Sequence, residues 1–374
     1  MEKFEADNIN KQNSRPKVSF VLPVYNTSRF LRKCLNSIIN QTLTDIEIIC
    51  VNDGSTDNSL EILKEYAAKD SRIKIIEQKN AGVMRARQNG IENAKGQYIM
   101  FADTDDYAAK TAAEEAYKKI VEENADVVQF RVRLYYGLFS TKSKGKPVTE
   151  IVNKENFINK YASHLLGPDY QGITLCMYDK IYKSELIKAA VQQQGDEVYI
   201  MTQDRWLNIL VFFNPLFNKY VYLNKELYYF RQSNSTTGRY MRYVLETADS
   251  MVPRMTQIAL EHNCPQQVLF DMHIESVYSF IAFCQMVSAE NSKEQTIKLY
   301  EDFFKHKHLI LAKEFYKNTD LGIWDDLKRF INDTPEQWYE FVEYKTASIP
   351  KLVKMKRSIG LIARNVINGK YKQG

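Results

Sequence analysis

The sequence lacks several features that would define other classes of protein. It has only 5 cysteines in 374 residues and no C-x-x-C pair, which excludes a disulfide scaffold and favours reduced thiols in a cytosolic protein. Its 14 glycines and 9 prolines are too few for a collagen-like or low-complexity chain. No apolar run approaches the roughly 18 residues of a membrane span, and the nearest, 207–217, is interrupted by Asn214 and Pro215. We therefore expect a globular chain that does not cross a bilayer.

Signatures of two nucleotide-binding classes and of a zinc site are also missing. No G-x-G-x-x-G follows the first strand-like segment, which argues against a dinucleotide oxidoreductase. A sugar nucleotidyltransferase would be expected to have a glycine-rich loop after this first strand, but residues 23–26 are Pro-Val-Tyr-Asn. The 5 histidines show no metal-ligand spacing, so zinc is not expected.

Acidic residues are absent from the C-terminal segment 344–374, which carries eight lysines or arginines. The rest of the chain has 43 basic and 46 acidic residues, so the net charge of +5 comes from this segment. Apolar residues from Leu352 to Val366 recur every three or four positions, which predicts a basic amphipathic helix. Such a helix can lie on an anionic membrane surface or pack on the protein's own body. Nucleic acid is not an expected partner, because the body is not basic.

Strand-like and helix-like segments alternate regularly through the first 110 residues. The predicted strands are 18–22, 46–51, 73–76 and 98–101. Ser28 is predicted to be the N-cap of the first intervening helix. Gly96 is predicted to be the C′ residue that follows the end of the third helix. This order predicts an α/β fold with a mostly parallel sheet, whose ligands bind at the carboxyl ends of the strands.

The length suggests more than one domain. Residues 1–16 are polar, without the apolar core of a secretory signal, and are predicted to form a flexible arm. Residues 17–240 are predicted to form the α/β domain, with 17–110 and 111–240 as its two halves. Residues 241–343 are predicted to be a helical region with an aromatic core, and 344–374 the basic tail.

Three carboxylates, Asp103, Asp105 and Asp106, directly follow the fourth strand. Their mutual repulsion is costly unless a cation or hydrogen bonds compensate. Carboxylates suit Mg²⁺ or Mn²⁺, and these ions keep positions open for substrate phosphates. Asp53 follows the second strand and reaches the same edge, and Arg87 could neutralise phosphate charge. An acidic turn that caps the next helix is the alternative.

The motifs from residue 23 to residue 107 together resemble a known family. They are Pro-Val-Tyr-Asn at 23–26, Val-Asn-Asp-Gly-Ser-Thr-Asp at 51–57, Ala-Gly at 81–82 with Ala-Arg at 86–87, and the segment 96–107. In order and spacing they resemble the inverting family 2 glycosyltransferases of the GT-A fold. The resemblance implies a GT-A nucleotide-sugar domain with 17–110 as its nucleotide-binding half and 111–240 as its acceptor half, followed here by a mainly helical C-terminal region.

The resemblance also implies roles for individual residues. It places Asp53 on the uracil of a UDP-sugar, Pro23 and Tyr25 in the base pocket, and Asp103 at the ribose. Asp105 is the implied ligand of Mn²⁺ or Mg²⁺. The donor-binding residues that we predict on this basis are Pro23, Tyr25, Asp53, Arg87, Asp103 and Thr104.

A second group of motifs concerns the acceptor. The segment 179–183 resembles the family's segment before the acceptor site, and Gln203 with Asp204 stands in place of its Glu-Asp pair. Asp204 is the predicted base that takes the acceptor's proton in an inverting displacement. A carboxylate that merely interacts with a helix N-terminus is the alternative. The segment 228–237 resembles the strand and loop that close these domains, and its polar stretch is predicted to be a lid or a solvated loop.

The resemblance therefore predicts a hexosyl- or N-acetylhexosaminyltransferase. Its acceptor would be a glycan or lipid-linked saccharide in bacterial lipooligosaccharide, capsule or other surface polysaccharide synthesis. The enzyme would be cytoplasmic, with the tail as a possible contact to the membrane's inner face. Because Gln203 cannot carry the charge of the family's Glu, a catalytically silent nucleotide-sugar-binding or scaffold protein is the second hypothesis.

Overall fold

The computed structural model describes most of the N-terminal two thirds of the chain and parts of the remainder. The described residues are 15–135, 140–141, 149–166, 173–195, 203–231, 244–264, 268, 292–307, 310–311, 313–314, 329 and 332–348. They belong to two compact units, residues 1–233 with 260–265 and residues 234–259 with 266–374. The predicted arm up to residue 14, the basic tail from residue 349 and the predicted lid beyond residue 231 lie outside the described residues.

The first unit is built on a ten-stranded mixed sheet. Its strands are β1 (Val18–Val24), β2 (Ile46–Asp53), β3 (Ile73–Gln78), β4 (Tyr98–Phe101), β5 (Tyr107–Ala108), β6 (Val127–Tyr135), β7 (Ser140–Thr141), β8 (Glu150–Asn153), β9 (Lys180–Lys183) and β10 (Lys219–Arg231). The strand order is β3-β2-β1-β4-β9-β6-β10-β5, with β7 beside β6 and β8 beside β10. The predicted parallel arrangement of the first four strands is confirmed.

Strand β9 determines the direction of the other half of the sheet. It pairs antiparallel with β4 on one side and with β6 on the other. Since β4 and β6 both oppose β9, they run in the same direction, and β10 is parallel to β6. The carboxyl ends of β1, β2, β4, β6 and β10 therefore lie along one edge of the sheet.

The described helices of the first unit are α1 (Ser28–Ile39), α2 (Ser59–Ala67), α3 (Val83–Asn93), α4 (Ala112–Glu122), α5 (Lys154–Leu166), α6 (Ser184–Gln194) and α7 (Gln203–Phe212). Those of the second unit are α8 (Val244–Glu261), which lies mostly in that unit, α9 (Lys293–Phe304) and α10 (Pro335–Ser348). Helix α3 packs on β1 and β2, α6 packs against α3 and α7, and α1 packs against α2. None of the helices in the described part of the chain is long and apolar enough to cross a membrane.

The N-cap predicted for α1 is wrong. Ser28 is the first helical residue, and its backbone N–H donates to Oδ2 of Asp57 at 3.0 Å. The N–H of Ser59, at the start of α2, donates to Oδ1 of Asp57 at 2.9 Å. Burial raises the pKa of Asp57, but the hydrogen bonds with both serines outweigh it and hold the pKa below its ordinary value. One carboxylate thus caps two helices.

The expected role of Gly96 is also wrong. Helix α3 ends before Ala94, which has extended backbone, and Gly96 does not have a positive φ. A Cβ on Gly96 would lie 2.6 Å from the backbone N of Ser19, so glycine is required by the close approach of β1. Gly90 has a similar role within α3, since its Cβ would lie 2.4 Å from Cγ1 of Val21. These glycines bring α3 and the turn after it close to the sheet.

The described part of the second unit is helical. Helices α9 and α10 pack on each other, and Tyr300, Phe303 and Trp338 are buried. Helix α9 begins with a capping box in which Ser292 and Gln295 exchange hydrogen bonds. Other aromatic residues predicted for this core, such as Tyr278 and Trp324, lie outside the described residues. The four cysteines that the structure describes are free thiols, as predicted.

Candidate active site

Three loops meet at the carboxyl edge of the parallel strands. Tyr25 follows β1 with 47% of its surface exposed, Asp53 ends β2 and is 2% exposed, and Asp103 follows β4. Because β2, β1 and β4 are adjacent in the sheet, these residues lie side by side along the edge. The structure therefore brings the predicted base pocket next to the acidic cluster.

Asp53 fixes the loop that leads into α3. Its Oδ1 accepts hydrogen bonds from Nε2 of Gln78 and from the N–H of Ala81, both at 2.8 Å. Its Oδ2 accepts from the N–H of Gly82 at 2.9 Å. Gly82 has φ of 87°, a conformation that favours glycine. A carboxylate offers about four acceptor positions, so Asp53 keeps capacity for one further donor.

Thr104 ties the acidic cluster to β1. Its Oγ1 lies 2.9 Å from Oγ1 of Thr27 and 3.4 Å from the carbonyl oxygen of Pro23. Thr104 itself is 4% exposed. Its hydroxyl is engaged within the protein, so its contribution to the site is to hold the loop after β4 against the end of β1.

Arg87 connects the acidic cluster to the predicted base. It lies on α3, 6% exposed, and its Nη2 donates to Oδ1 of Asp103 at 2.9 Å. Its Nη1 donates to Oδ1 of Asp204. Burial would lower the pKa of Arg87, but the two carboxylates outweigh burial and the pKa rises above its ordinary value. Burial raises the pKa of Asp103, and the neighbouring charge of Arg87 only partly opposes this.

Asp204 is held from a second direction by the segment before β9. Its Oδ2 accepts from the N–H of Met177 at 3.3 Å, and its carbonyl oxygen accepts from Nδ2 of Asn208 at 2.8 Å. Oδ1 of Asn208 accepts in turn from Oη of Tyr182, on β9, at 2.9 Å. Asp204 lies in the first turn of α7 with 28% of its side chain exposed. It is thus both positioned and accessible.

A fully buried ion pair supports this segment. Nζ of Lys180 donates to Oδ1 of Asp179 at 2.7 Å, to the carbonyl oxygen of Cys176 at 2.7 Å and to that of Thr174 at 2.8 Å. Burial raises the pKa of Asp179, and the Lys180 ammonium opposes this. The family resemblance singled out the segment 179–183 but did not predict that these two residues form a buried pair. Its chemical role is to fix the backbone that bonds to Asp204.

The end of β10 holds the acidic cluster from the other side. The N–H of Arg231 donates to Oδ1 of Asp106, and its Nε donates to the carbonyl oxygen of Asp105, both at 2.6 Å. The N–H of Asp103 donates to Oη of Tyr228 at 3.0 Å. Burial, with repulsion from Asp103 and Asp105, raises the pKa of Asp106 to about 9. The sequence placed Tyr228 and Arg231 only within the segment 228–237 and gave neither of them a contact with the acidic cluster.

Asp105 is the candidate metal ligand of the cluster. Across the part of the chain that the structure describes, no three His, Cys, Asp or Glu residues are grouped to hold an ion by themselves. Mg²⁺ and similar ions are often bound through one or two carboxylates, with substrate phosphates and water as the other ligands. Burial raises the pKa of Asp105, and a cation would relieve the cost of its charge. The carboxylate ligands available here fit a divalent ion that is held mainly by a phosphorylated substrate.

Comparison with known proteins identifies the family and the fold of this chain. The family model for glycosyl transferase family 2 matches residues 19–183. The provisionally named glycosyltransferase EpsH of Bacillus subtilis (strain 168) is 30% identical over 254 residues, which cover 66% of this chain and 70% of that protein. Glycosyltransferase GlyA of Streptococcus pneumoniae serotype 4 is 37% identical over 253 residues, 65% of this chain and 35% of GlyA.

A solved structure shares the fold. The crystal structure of S. aureus TarS 1–349 matches with a TM-score of 0.59 and 19% identity, over 89% of this chain and 92% of that one. The same protein in complex with UDP matches with a TM-score of 0.57. The chain belongs to glycosyltransferase family 2, and the predicted family and GT-A fold are confirmed. It spans 33 to 35% of the length of the first curated relatives that it matches.

Proposed function

We propose that this protein is a metal-dependent inverting glycosyltransferase that moves a sugar from a UDP-sugar to a hydroxyl group. The observation that carries the proposal is the bridge of Arg87 between Asp103 and Asp204. It brings the candidate base to the acidic cluster, where the sugar and diphosphate of a donor would lie. If the acidic cluster only capped a helix, the fold would not need a partly exposed carboxylate of α7 beside it.

The donor would lie along the edge from β2 to β4. Asp53, with its remaining acceptor capacity, would receive the N–H of the uracil, and Pro23 and Tyr25 would line the base pocket. Asp103 would face the ribose, and Thr104 and Arg87 would act by holding the surrounding loops. The UDP and UDP-GlcNAc complexes of TarS support a uridine donor for the shared fold.

In the proposed reaction the acceptor hydroxyl attacks the anomeric carbon from the face opposite the diphosphate. The new carbon–oxygen bond forms as the bond to the diphosphate oxygen breaks, and Asp204 takes the hydroxyl proton. A divalent cation at Asp105 would stabilise the charge on the leaving UDP. Arg87 keeps Asp204 oriented toward the donor.

The acceptor that we propose is a glycan or lipid-linked saccharide of a bacterial surface polysaccharide, with the transferred residue a hexose or N-acetylhexosamine. The basic tail would hold the enzyme at the inner face of the membrane by its charge. Flotation with anionic liposomes would test the tail by comparing the full chain with a chain ending at Tyr344. Equal flotation of the two would rule out this contact.

The enzymatic proposal is tested by UDP release from a panel of UDP-sugars, with Mn²⁺ or Mg²⁺ and with a chelator. Slow hydrolysis of one donor, abolished by the chelator, is the expected result. If no donor is hydrolysed and calorimetry shows no UDP binding, the proposal is wrong. UDP binding without hydrolysis or transfer to any acceptor would favour the silent nucleotide-sugar-binding protein.

A further inference from the structure

A cluster of aromatic rings and cations lies directly beside the acidic cluster. We call it the cation–aromatic cluster and define it as Lys33, Tyr107, Tyr135, Tyr229 and Arg231. Nζ of Lys33 is 4.0 Å from the ring centre of Tyr107 and 4.1 Å from that of Tyr135. Tyr107 and Tyr229 stack with ring centres 4.5 Å apart, and Cζ of Arg231 lies 5.2 Å from the ring centre of Tyr135.

The two cations of this cluster lack a direct ion-pair partner among the described residues, although the charge of Arg231 opposes the rise in the pKa of nearby Asp105. Neither Lys33 nor Arg231 forms an ion pair with any residue that the structure describes, whereas nearby Arg133 is paired with Glu226. Nε of Arg231 donates to the carbonyl oxygen of Asp105, and its terminal nitrogens make no hydrogen bond within the described residues. A ring face attracts a cation but does not cancel its charge. The rings therefore hold two positively charged side chains in place. The ammonium group of Lys33 and the terminal nitrogens of Arg231 are available as hydrogen-bond donors to a ligand.

The cluster lies beyond the acidic cluster, away from the base pocket. The base pocket follows β2 and β1, the acidic cluster follows β4, and Tyr135 and Arg231 end β6 and β10. In the strand order, β10 is three strands from β4, on the side opposite β1 and β2. The ends of β6 and β10 thus lie on the side of the acidic cluster opposite the base pocket, and Nε of Arg231 reaches the carbonyl oxygen of Asp105 at 2.6 Å. The cluster therefore borders the place where a donor that extends from β2 would end.

We propose that the cation–aromatic cluster binds an anionic group of the acceptor, a phosphate or carboxylate carried on its sugar or polyol chain. The inference rests on the proposed function, since it concerns the acceptor of the same transfer. The charges are complementary, because Lys33 and the terminal nitrogens of Arg231 supply donors that such an anion accepts. The tyrosine rings beside them are half-buried, so part of their apolar surface is open to sugar rings. The acceptor would thus be an anionic rather than a neutral saccharide.

The test measures binding of labelled probes to the full chain by fluorescence anisotropy at low salt. The probes are a glycerol-phosphate oligomer, a hyaluronan oligosaccharide with carboxylates, and an uncharged dextran oligomer of similar length. Lys33→Gln removes one cation at an exposed position. Lys69→Gln is the matched control, because Lys69 is also exposed and near a tyrosine ring, Tyr66 at 6.0 Å, but is paired with Glu65.

Wild-type protein should bind one anionic probe at least tenfold more tightly than dextran, and the probe that binds identifies phosphate or carboxylate. Lys33→Gln should weaken that binding by about tenfold, the usual value of one charge-assisted contact. Lys33→Arg should restore it, and Lys69→Gln should change it by less than about twofold. The affinity for UDP, measured by calorimetry, should be the same in all variants.

Three results would overturn the inference: equal binding of dextran, equal losses in Lys33→Gln and Lys69→Gln, or a loss of UDP affinity in Lys33→Gln. The last would make the cluster part of the donor site. Failure of the proposed function itself shows separately, as absence of UDP release in wild-type protein with every donor. The anisotropy measurement uses no donor, so the two failures are distinguishable.

Discussion

Asp103 and Asp204 share a single guanidinium group, that of Arg87, although one follows β4 and the other lies on α7. The shared arginine makes the position of each carboxylate depend on the other. The three side chains belong to different elements, so the loop after β4, α3 and α7 must all be in place before the site is complete. The bridge thus couples the fold of the nucleotide-binding half to the candidate base.

Replacing the candidate base should separate catalysis from binding. In Asp204→Asn the amide oxygen can still accept from Arg87, the amide nitrogen cannot accept from the N–H of Met177, and the side chain cannot take a proton. Transfer should fall by about 10² to 10⁴-fold, while UDP affinity stays the same. Asp45→Asn, at an exposed position before β2, is the control. An unchanged rate in Asp204→Asn would eliminate this residue as the base.

The bridge itself can be tested by Arg87→Lys. An ammonium group cannot span two carboxylates as the guanidinium fork does. We expect the free energy of unfolding to fall by about 2 kcal/mol, from the loss of one buried charge-assisted hydrogen bond. The transfer rate should fall by about tenfold or more because Asp204 is less well oriented. Urea denaturation and steady-state kinetics measure the two effects.

Arg32→Lys is the matched control for that substitution. Arg32 pairs with Glu65 on the surface, where such pairs contribute little, so the change should affect neither stability nor rate. If Arg87→Lys behaves in the same way as Arg32→Lys, the bridge has no functional role.

The double cap by Asp57 predicts a graded series. Asp57→Ala should lower the free energy of unfolding by about 2 kcal/mol, about 1 for each helix. Asp57→Asn should lose about half of that amount, because an amide oxygen can accept while the amide nitrogen cannot. Urea denaturation at pH 7 measures both. Equal stability of the two variants would contradict a cap shared between α1 and α2.

The cap should also depend on pH. The folded pKa of Asp57 lies below the ordinary value of 3.8, so its stabilisation is present above that pH and is lost as pH falls through the folded pKa. The difference in stability between wild type and Asp57→Ala should therefore narrow as the pH falls below the ordinary pKa of 3.8. A difference that stays constant as the pH falls would show that the charged form is not what caps the helices.

Close packing of α3 on β1 predicts that Gly90→Ala is destabilising. The new Cβ would meet Cγ1 of Val21, and overpacking of this kind costs about 1 to 3 kcal/mol. Val21→Ala in the same chain should recover part of the loss, since it removes the atom in the way. A double-mutant cycle on the free energy of unfolding measures the coupling. If the effects of the two substitutions are additive, Val21 is not the obstacle and α3 shifts to make room for the new Cβ.

The parts of the fold and site that the sequence could predict depend on local pattern. The alternation of strands and helices correctly placed Asp53 and Asp103 at one edge, because parallel strands end together. The antiparallel insertion of β9 could not be predicted, since a four-residue strand has no period of its own and its direction depends on distant partners. The family resemblance located the acidic cluster but not the contacts that hold it.

The predictions that were wrong also depend on partners that are distant in the sequence. Ser28 has the side chain of an N-cap, but the cap comes from Asp57, which lies nearly thirty residues later in the chain. Gly96 has the residue type of a helix end, but it is needed because β1 passes close by. Arg87 was expected to meet phosphate charge, yet both of its terminal nitrogens bond to protein carboxylates. Its predicted contribution to donor binding, like that of the other site residues, stays a prediction.

The hydrogen bonds from the end of β10 to the acidic cluster limit how this domain can be divided. The family match ends at residue 183, before Asp204, Tyr228 and Arg231. A gene fragment or chimaera joined at that point would keep the acidic residues but replace the hydroxyl and guanidinium groups that hold their backbone. Exchange of acceptor modules between related enzymes therefore has to carry β10 together with the motif that it supports.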